Sequence, residues 1–134
     1  MTKGIFEELV KTTAEKRVVF TAMSKLFFYY RMFISKFCLE QGVVPINSFM
    51  SFDYFMLDSV DRSLVHTGNN NLIKRSDELW VFGPISHGVL VEITWAKQLK
   101  KPIKFFRINK QLQIEEINKS EAEFENIDEA KSIL

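Results

Sequence analysis

The chain has 134 residues, of which 46% are hydrophobic and 26% charged, and its formal net charge is +1. That is the length and composition of one globular α/β-sized domain, and a charge so close to zero gives no field to draw it to nucleic acid or an anionic membrane. A single cysteine, Cys38, rules out an internal disulfide. No apolar run reaches the roughly 18 residues a spanning helix needs, so the expectation is a cytoplasmic protein.

Residues 1–16 read as a leading helix with Phe6, Leu9 and Val10 as its inner stripe. Arg17 to Ala22 is a β-branched and aromatic run and predicts the first core strand. Phe27 to Gln41 predicts a helix apolar nearly all round, stopped by Gly42 at a natural C′ position. Val43 to Ile46 gives a second short strand that ends at Asn47. No single period fits residues 48–68, which carry Asp53, Tyr54 and Asp58 among aromatics; a long irregular segment of this kind is often functional. Asn69 to Ser76 predicts a helix with Leu72 and Ile73 inward. Pro102 to Ile108 is a fourth strand, and Gln111 to Ile117 alternates as an edge strand should. The last seventeen residues are acidic, with Phe124, Ile127 and Ala130 on one side of a final helix.

Between these pieces lies the stretch that organises the rest, Asp77 to Lys100. Leu79 to Phe82 is a short apolar run bounded by Gly83-Pro84, and so reads as a buried strand. Val89, Ile93 and Ala96 then recur at helical spacing, flanked by Leu90 and Leu99. Strand and helix alternate along the chain, which predicts a flavodoxin-like doubly wound α/β sheet of four to five mainly parallel strands with helices on both faces. The organisation expected is a leading helix (1–16), a core (17–108), and an edge strand with an acidic helix (109–134). In such a sheet ligands bind at the carboxyl ends of the strands. The turn Ser86-His87-Gly88 sits at one of those ends and opens a helix, whose free N–H groups favour an anion.

Several chemistries are absent from the sequence. There is no glycine-rich dinucleotide fingerprint, no phosphate loop ending in Gly-Lys-Ser/Thr, and no G-x-S-x-G elbow. His66 and His87 are too isolated, with one cysteine, to make a zinc site, so neither metal nor cofactor is expected. The polar residues left near a carboxyl-end site are Asn47, Asp53, Asn69 to Asn71, Ser86 and Glu92. A helical Glu ordinarily faces solvent, but Glu92 borders the inward stripe of Val89 and Ala96. Asp77 reads as a residue that orders the turn before its strand. Asn69 to Asn71 read equally well as a polar helix start, and His87 as a solvated turn residue.

The spacing Ser86-x-Gly88-x-x-x-Glu92, after a strand and a Gly-Pro turn, resembles the nucleoside 2-deoxyribosyltransferase superfamily, which includes N-glycosidases of nucleoside 5′-monophosphates. The Asn-Asn-x-Leu run that leads to Asp77 also resembles that group. The likeness spans roughly residues 17–108 in order of elements, while its specific motifs cover Asn69 to Glu92. It implies Glu92 as the nucleophile that attacks the anomeric carbon, with retention of configuration. It also implies Ser86, His87 and Gly88 as contacts for a 5′-phosphate or sugar, with Gly83, Asn47 and Thr21 on the neighbouring turns. Asp53 and Tyr54 would come from the irregular segment. Where the superfamily has an acid in the upstream helix, this chain has Asn71 by motif or Asn69 by spacing, and an amide cannot donate a proton as an acid does. The first strand ends in Thr21-Ala22-Met23-Ser24 in place of a glycine-bearing turn.

The leading expectation is therefore an N-glycosidase or deoxyribosyltransferase-like enzyme acting on a nucleoside or nucleotide. Its rivals are a catalytically silent nucleotide-binding module on the same fold, and an interaction domain built on the aromatic helix. That helix also predicts a homodimer or higher homo-oligomer, because one side of it has nothing in the chain to pack on.

Overall fold

The computed structural model describes residues 3–11, 14–52 and 59–125. Among them five strands form one sheet: β1 (Val18–Met23), β2 (Val44–Ile46), β3 (Glu78–Phe82), β4 (Ile103–Ile108) and β5 (Ile114–Ile117). Their order is β2-β1-β3-β4-β5, with every neighbouring pair parallel except β4 and β5. This is the flavodoxin-like order with a reversed last strand, and its switch point lies between β1 and β3. The β2 edge carries Pro45, which has no N–H to offer a further strand.

Because side chains alternate along a strand, each strand feeds two cores. Phe20 and Ala22 of β1, Leu79 and Val81 of β3, and Phe105 of β4 face one side. There they meet Ile73 of α4 (Arg62–Arg75) and Val89, Leu90, Ile93 and Ala96 of α5 (His87–Gln98). Val19, Met23, Trp80, Phe82 and Phe106 face the other side and meet Ile34 and Cys38 of α2 (Arg31–Glu40). Burial pushes the Cys38 thiol up to about 12, so it is an inert core residue. Phe37 packs edge-on against Phe82 and Phe106, at ring separations of 6.1 and 5.3 Å, a favourable aromatic arrangement. Much of the phenylalanine content is accounted for by this second core.

Four expectations need correction. The leading helix, α1 (Lys3–Lys11), does not turn Phe6, Leu9 and Val10 inward; they are 60, 57 and 63% exposed, because other helices already cover both faces of the sheet. The aromatic helix is two elements, a 3-10 helix over Lys25–Tyr30 and then α2. Ser24 caps the first, accepting from Leu26 N at 3.1 Å. Three residues per turn bring Phe27 and Tyr30 together, their rings 5.1 Å apart. The helix predicted from Asn69 begins seven residues earlier, where Asp61 accepts from Ser63 N at 2.8 Å and caps α4. Finally, the described part of the acidic end is not α-helical. After a 3-10 turn at Lys119–Glu121 the chain runs extended, and Phe124 pairs with Ile85. Ile127 and Ala130 lie outside the described residues.

Candidate functional site

Two helices on the same face of the sheet bring the site together. In α5 the apolar positions Val89, Ile93 and Ala96 anchor the helix on β1 and β3, and the turn between Val89 and Ile93 carries Glu92 down with them. Glu92 is 9% exposed. In α4, Ile73 anchors the helix and places Asn69, one turn earlier, opposite α5. Asn69 Nδ2 donates to Glu92 Oε2 at 2.6 Å. No cation pairs with this carboxylate among the described residues, so desolvation dominates and pushes the Glu92 carboxyl up to about 7. The Asn69 hydrogen bond works in the opposite direction, favouring the carboxylate. Glu92 is thus poised to exchange a proton near neutral pH, and the environment that tunes it is characteristic of reacting groups.

Asn69 is itself incompletely satisfied: its Oδ1 is buried and accepts no hydrogen bond. A buried acceptor in that state costs free energy unless something donates to it. Asn71, the other position left open by the sequence, points elsewhere. Its Nδ2 donates to Thr67 O at 2.9 Å and its Oδ1 accepts from Arg75 at 3.0 Å, both within α4. Asn69, the position given by spacing, is the residue that meets Glu92.

At the head of α5, Ser86 is the N-cap, its Oγ accepting from Val89 N at 3.2 Å. The hydroxyl keeps its own proton for another acceptor, and the N–H groups of His87 and Gly88 in the first turn have no intrahelical partner. Both residues are exposed. A Cβ at Gly88 would meet nothing nearer than Ser86 Oγ at 4.0 Å, so the space above this turn is open to a ligand. Gly83 is different: its φ is +77°, and a Cβ there would come within 2.6 Å of the Phe27 ring. It is required by the fold. Thr21 and Asn47 are also committed, since Thr21 Oγ1 donates to Ile46 O at 3.3 Å and Asn47 Nδ2 donates to Thr21 O at 2.5 Å. Asn47 Oδ1 caps α3 (Ser48–Ser51) through Phe49 N. These two side chains tie β1 to β2 and are not presented to a ligand. Asp53 and Tyr54 lie outside the described residues.

The aromatics of residues 49–55 are expected from the sequence to stack on a base, but two details of packing are not legible in it. Phe52 packs so closely on α4 that a Cβ at Gly68 would meet its ring at 2.9 Å, which sets an aromatic side chain one residue from Asn69. The signal for it was a glycine in the middle of a helix, where close approach is the usual reason. The second is the extended segment after the last 3-10 turn, stitched to the β3–α5 turn by Ile85 N to Glu123 O at 2.8 Å and Glu125 N to Ile85 O at 3.1 Å. It ends with a buried Glu125 Oε1 that has no hydrogen-bond partner. An acidic tail gives no sequence pattern that would dock it there.

A groove of about 470 Å3 also opens between α4 and α5, lined by His66, Asn70, Lys74, Trp95 and Gln98 among others. None of Asn69, Ser86 or Glu92 lines it, so it lies apart from the chemistry. Among the described residues no group of three or more His, Cys, Asp or Glu side chains could hold a metal ion. Likewise no described helix is long and apolar enough to cross a membrane. No curated protein matches the chain. A family profile does match residues 27–106, a span that holds Asn69, Ser86 and Glu92. The chain belongs to that family, whose description is a domain of unknown function (DUF7768).

Proposed function

We propose that the protein is an N-glycosidase or deoxyribosyltransferase-like enzyme whose substrate is a nucleoside or nucleoside 5′-monophosphate bound at the Asn69–Glu92 pair and the head of α5. The observation that carries this reading is the buried Asn69–Glu92 pair, with a carboxyl pushed up to about 7 and an amide oxygen that still lacks a donor. Glu92 attacks the anomeric carbon in its ionised form, and the electron pair of the breaking C–N bond leaves with the base, which takes its proton from solvent. Water or a second base then displaces the carboxylate, so configuration is retained over the two steps. A sugar hydroxyl satisfies Asn69 Oδ1, while Asn69 Nδ2 holds the nucleophile in place. The 5′-phosphate is held by Ser86 and the first N–H groups of α5, and Phe52 offers an aromatic edge toward the base.

One observation favours a second reading, a module that binds nucleotide without turnover. The residue facing Glu92 is an amide, and Asn69 has no proton to give to a departing base. A panel of nucleosides and their 5′-monophosphates, followed for free base by chromatography, tests both readings. Base release that disappears in Glu92→Ala supports the enzyme. Calorimetric binding with no release supports the module, and neither binding nor release removes both.

A further inference from the structure

Among the described residues two apolar helix faces stand in water, and each has what the other needs. The first is the outer side of the Lys25–Tyr30 turn and α2, where Leu26, Tyr29, Met32 and Leu39 recur every three to seven residues and Tyr29 and Met32 are 84 and 74% exposed. The second is α1, where Phe6, Leu9 and Val10 form an amphipathic stripe and each keeps more than half its surface in water. A helix of nine residues is too short to hold together on propensity alone and normally needs its apolar face covered. The charges beside the two surfaces are complementary. Lys25 and Lys36 stand exposed on the first, and Glu7 stands exposed beside the stripe of α1.

We infer that α1 is an exchanged arm: in a two-fold dimer the α1 helix of each copy lies on the turn-and-α2 face of the other, burying Phe6, Leu9 and Val10 against Leu26, Tyr29 and Met32. Two such contacts related by the dyad close the assembly. The arrangement also explains why α1 is amphipathic although it covers neither face of its own sheet. It stands apart from the catalytic proposal, since none of these residues belongs to the Asn69–Glu92 site.

Sedimentation of the full-length chain at micromolar concentration reads this directly. The result expected is a dimer, with Leu9→Glu raising its dissociation constant at least a hundredfold. Because Leu9 belongs to neither core of the sheet, the variant keeps the chemical-denaturation midpoint of the sheet domain, and its circular dichroism spectrum loses at most the signal of α1. The partner of α1 is identified by cross-linking with a short bis-maleimide, for which the native Cys38 is buried and inert. Chains carrying Leu9→Cys are mixed with chains carrying Met32→Cys, and the mixed dimer is expected as the main product. Three results overturn the inference: a monomer mass at tens of micromolar, a dimer indifferent to Leu9→Glu, or a Leu9→Cys/Met32→Cys double variant that links only within one chain.

Discussion

Glu92 has an energetic signature that can be measured without knowing its ligand. Its carboxyl titrates near 4.5 when free and near 7 in the fold. Between those values the folded state holds the proton that the unfolded state has released, so stability falls as pH rises from about 4.5 to about 7, then stays lowered. Two and a half pKa units correspond to on the order of 3 kcal/mol. Glu92→Gln removes this penalty while keeping an acceptor for Asn69. It is expected to match the wild type near pH 4.5 and to exceed it by on the order of 3 kcal/mol at pH 8, read from urea unfolding at both pH values. Parallel stability curves for the two proteins would show that Glu92 is not desolvated. Asn69→Ala is expected to move the midpoint of this pH dependence upward, because the hydrogen bond it removes is the one that favours the carboxylate.

The elements that positioned this residue were legible where periodicity was strong. The stripe Val89, Ile93 and Ala96 located α5 and, with it, the inward setting of Glu92. The bounded apolar run located β3, and the alternation of strands with helices gave the flavodoxin-like sheet. Where side chains are polar or packing is long-range, the sequence was silent. Residues 62–68 have no apolar period, and they are helical because Asp61 caps them and Gly68 admits Phe52. The choice between Asn69 and Asn71 depends on which way α4 is rotated against α5, which no local pattern encodes. Neither does a pattern encode the docking of residues 122–125 on Ile85. Gly83 shows the same limit in reverse, since a turn glycine that looked available to a ligand is required by its φ of +77° and by the Phe27 ring. Gly83→Ala is expected to destabilise the fold by about 2 kcal/mol or more, measured by chemical denaturation, through backbone strain and the displaced ring. An effect within about 0.5 kcal/mol would mean that the turn tolerates rearrangement.

At the level of the whole molecule, the topology sets a helix N-terminus and a buried carboxylate at the same end of one sheet. In the proposed reading the 5′-phosphate sits on Ser86 and the exposed first turn of α5, with Glu92 one and a half turns further along. A monophosphate is therefore expected to bind more tightly than its nucleoside, each charge-assisted hydrogen bond contributing about 1.5–3 kcal/mol. Calorimetry with the matched pair checks this, and equal affinities would remove the phosphate from the proposal. If Glu92 is the nucleophile as proposed, the rate is expected to rise with pH through about 7 and then level, because attack needs its ionised form.

The central claim is that Glu92 bonds to the sugar, and intact-protein mass spectrometry tests it most directly. The protein is incubated with the nucleotide that releases base, quenched in acid, and mapped by peptide. The account predicts one added glycosyl mass on the peptide containing Glu92, absent in Glu92→Gln. Base release that continues undiminished in Glu92→Gln, with no adduct in either protein, would contradict it.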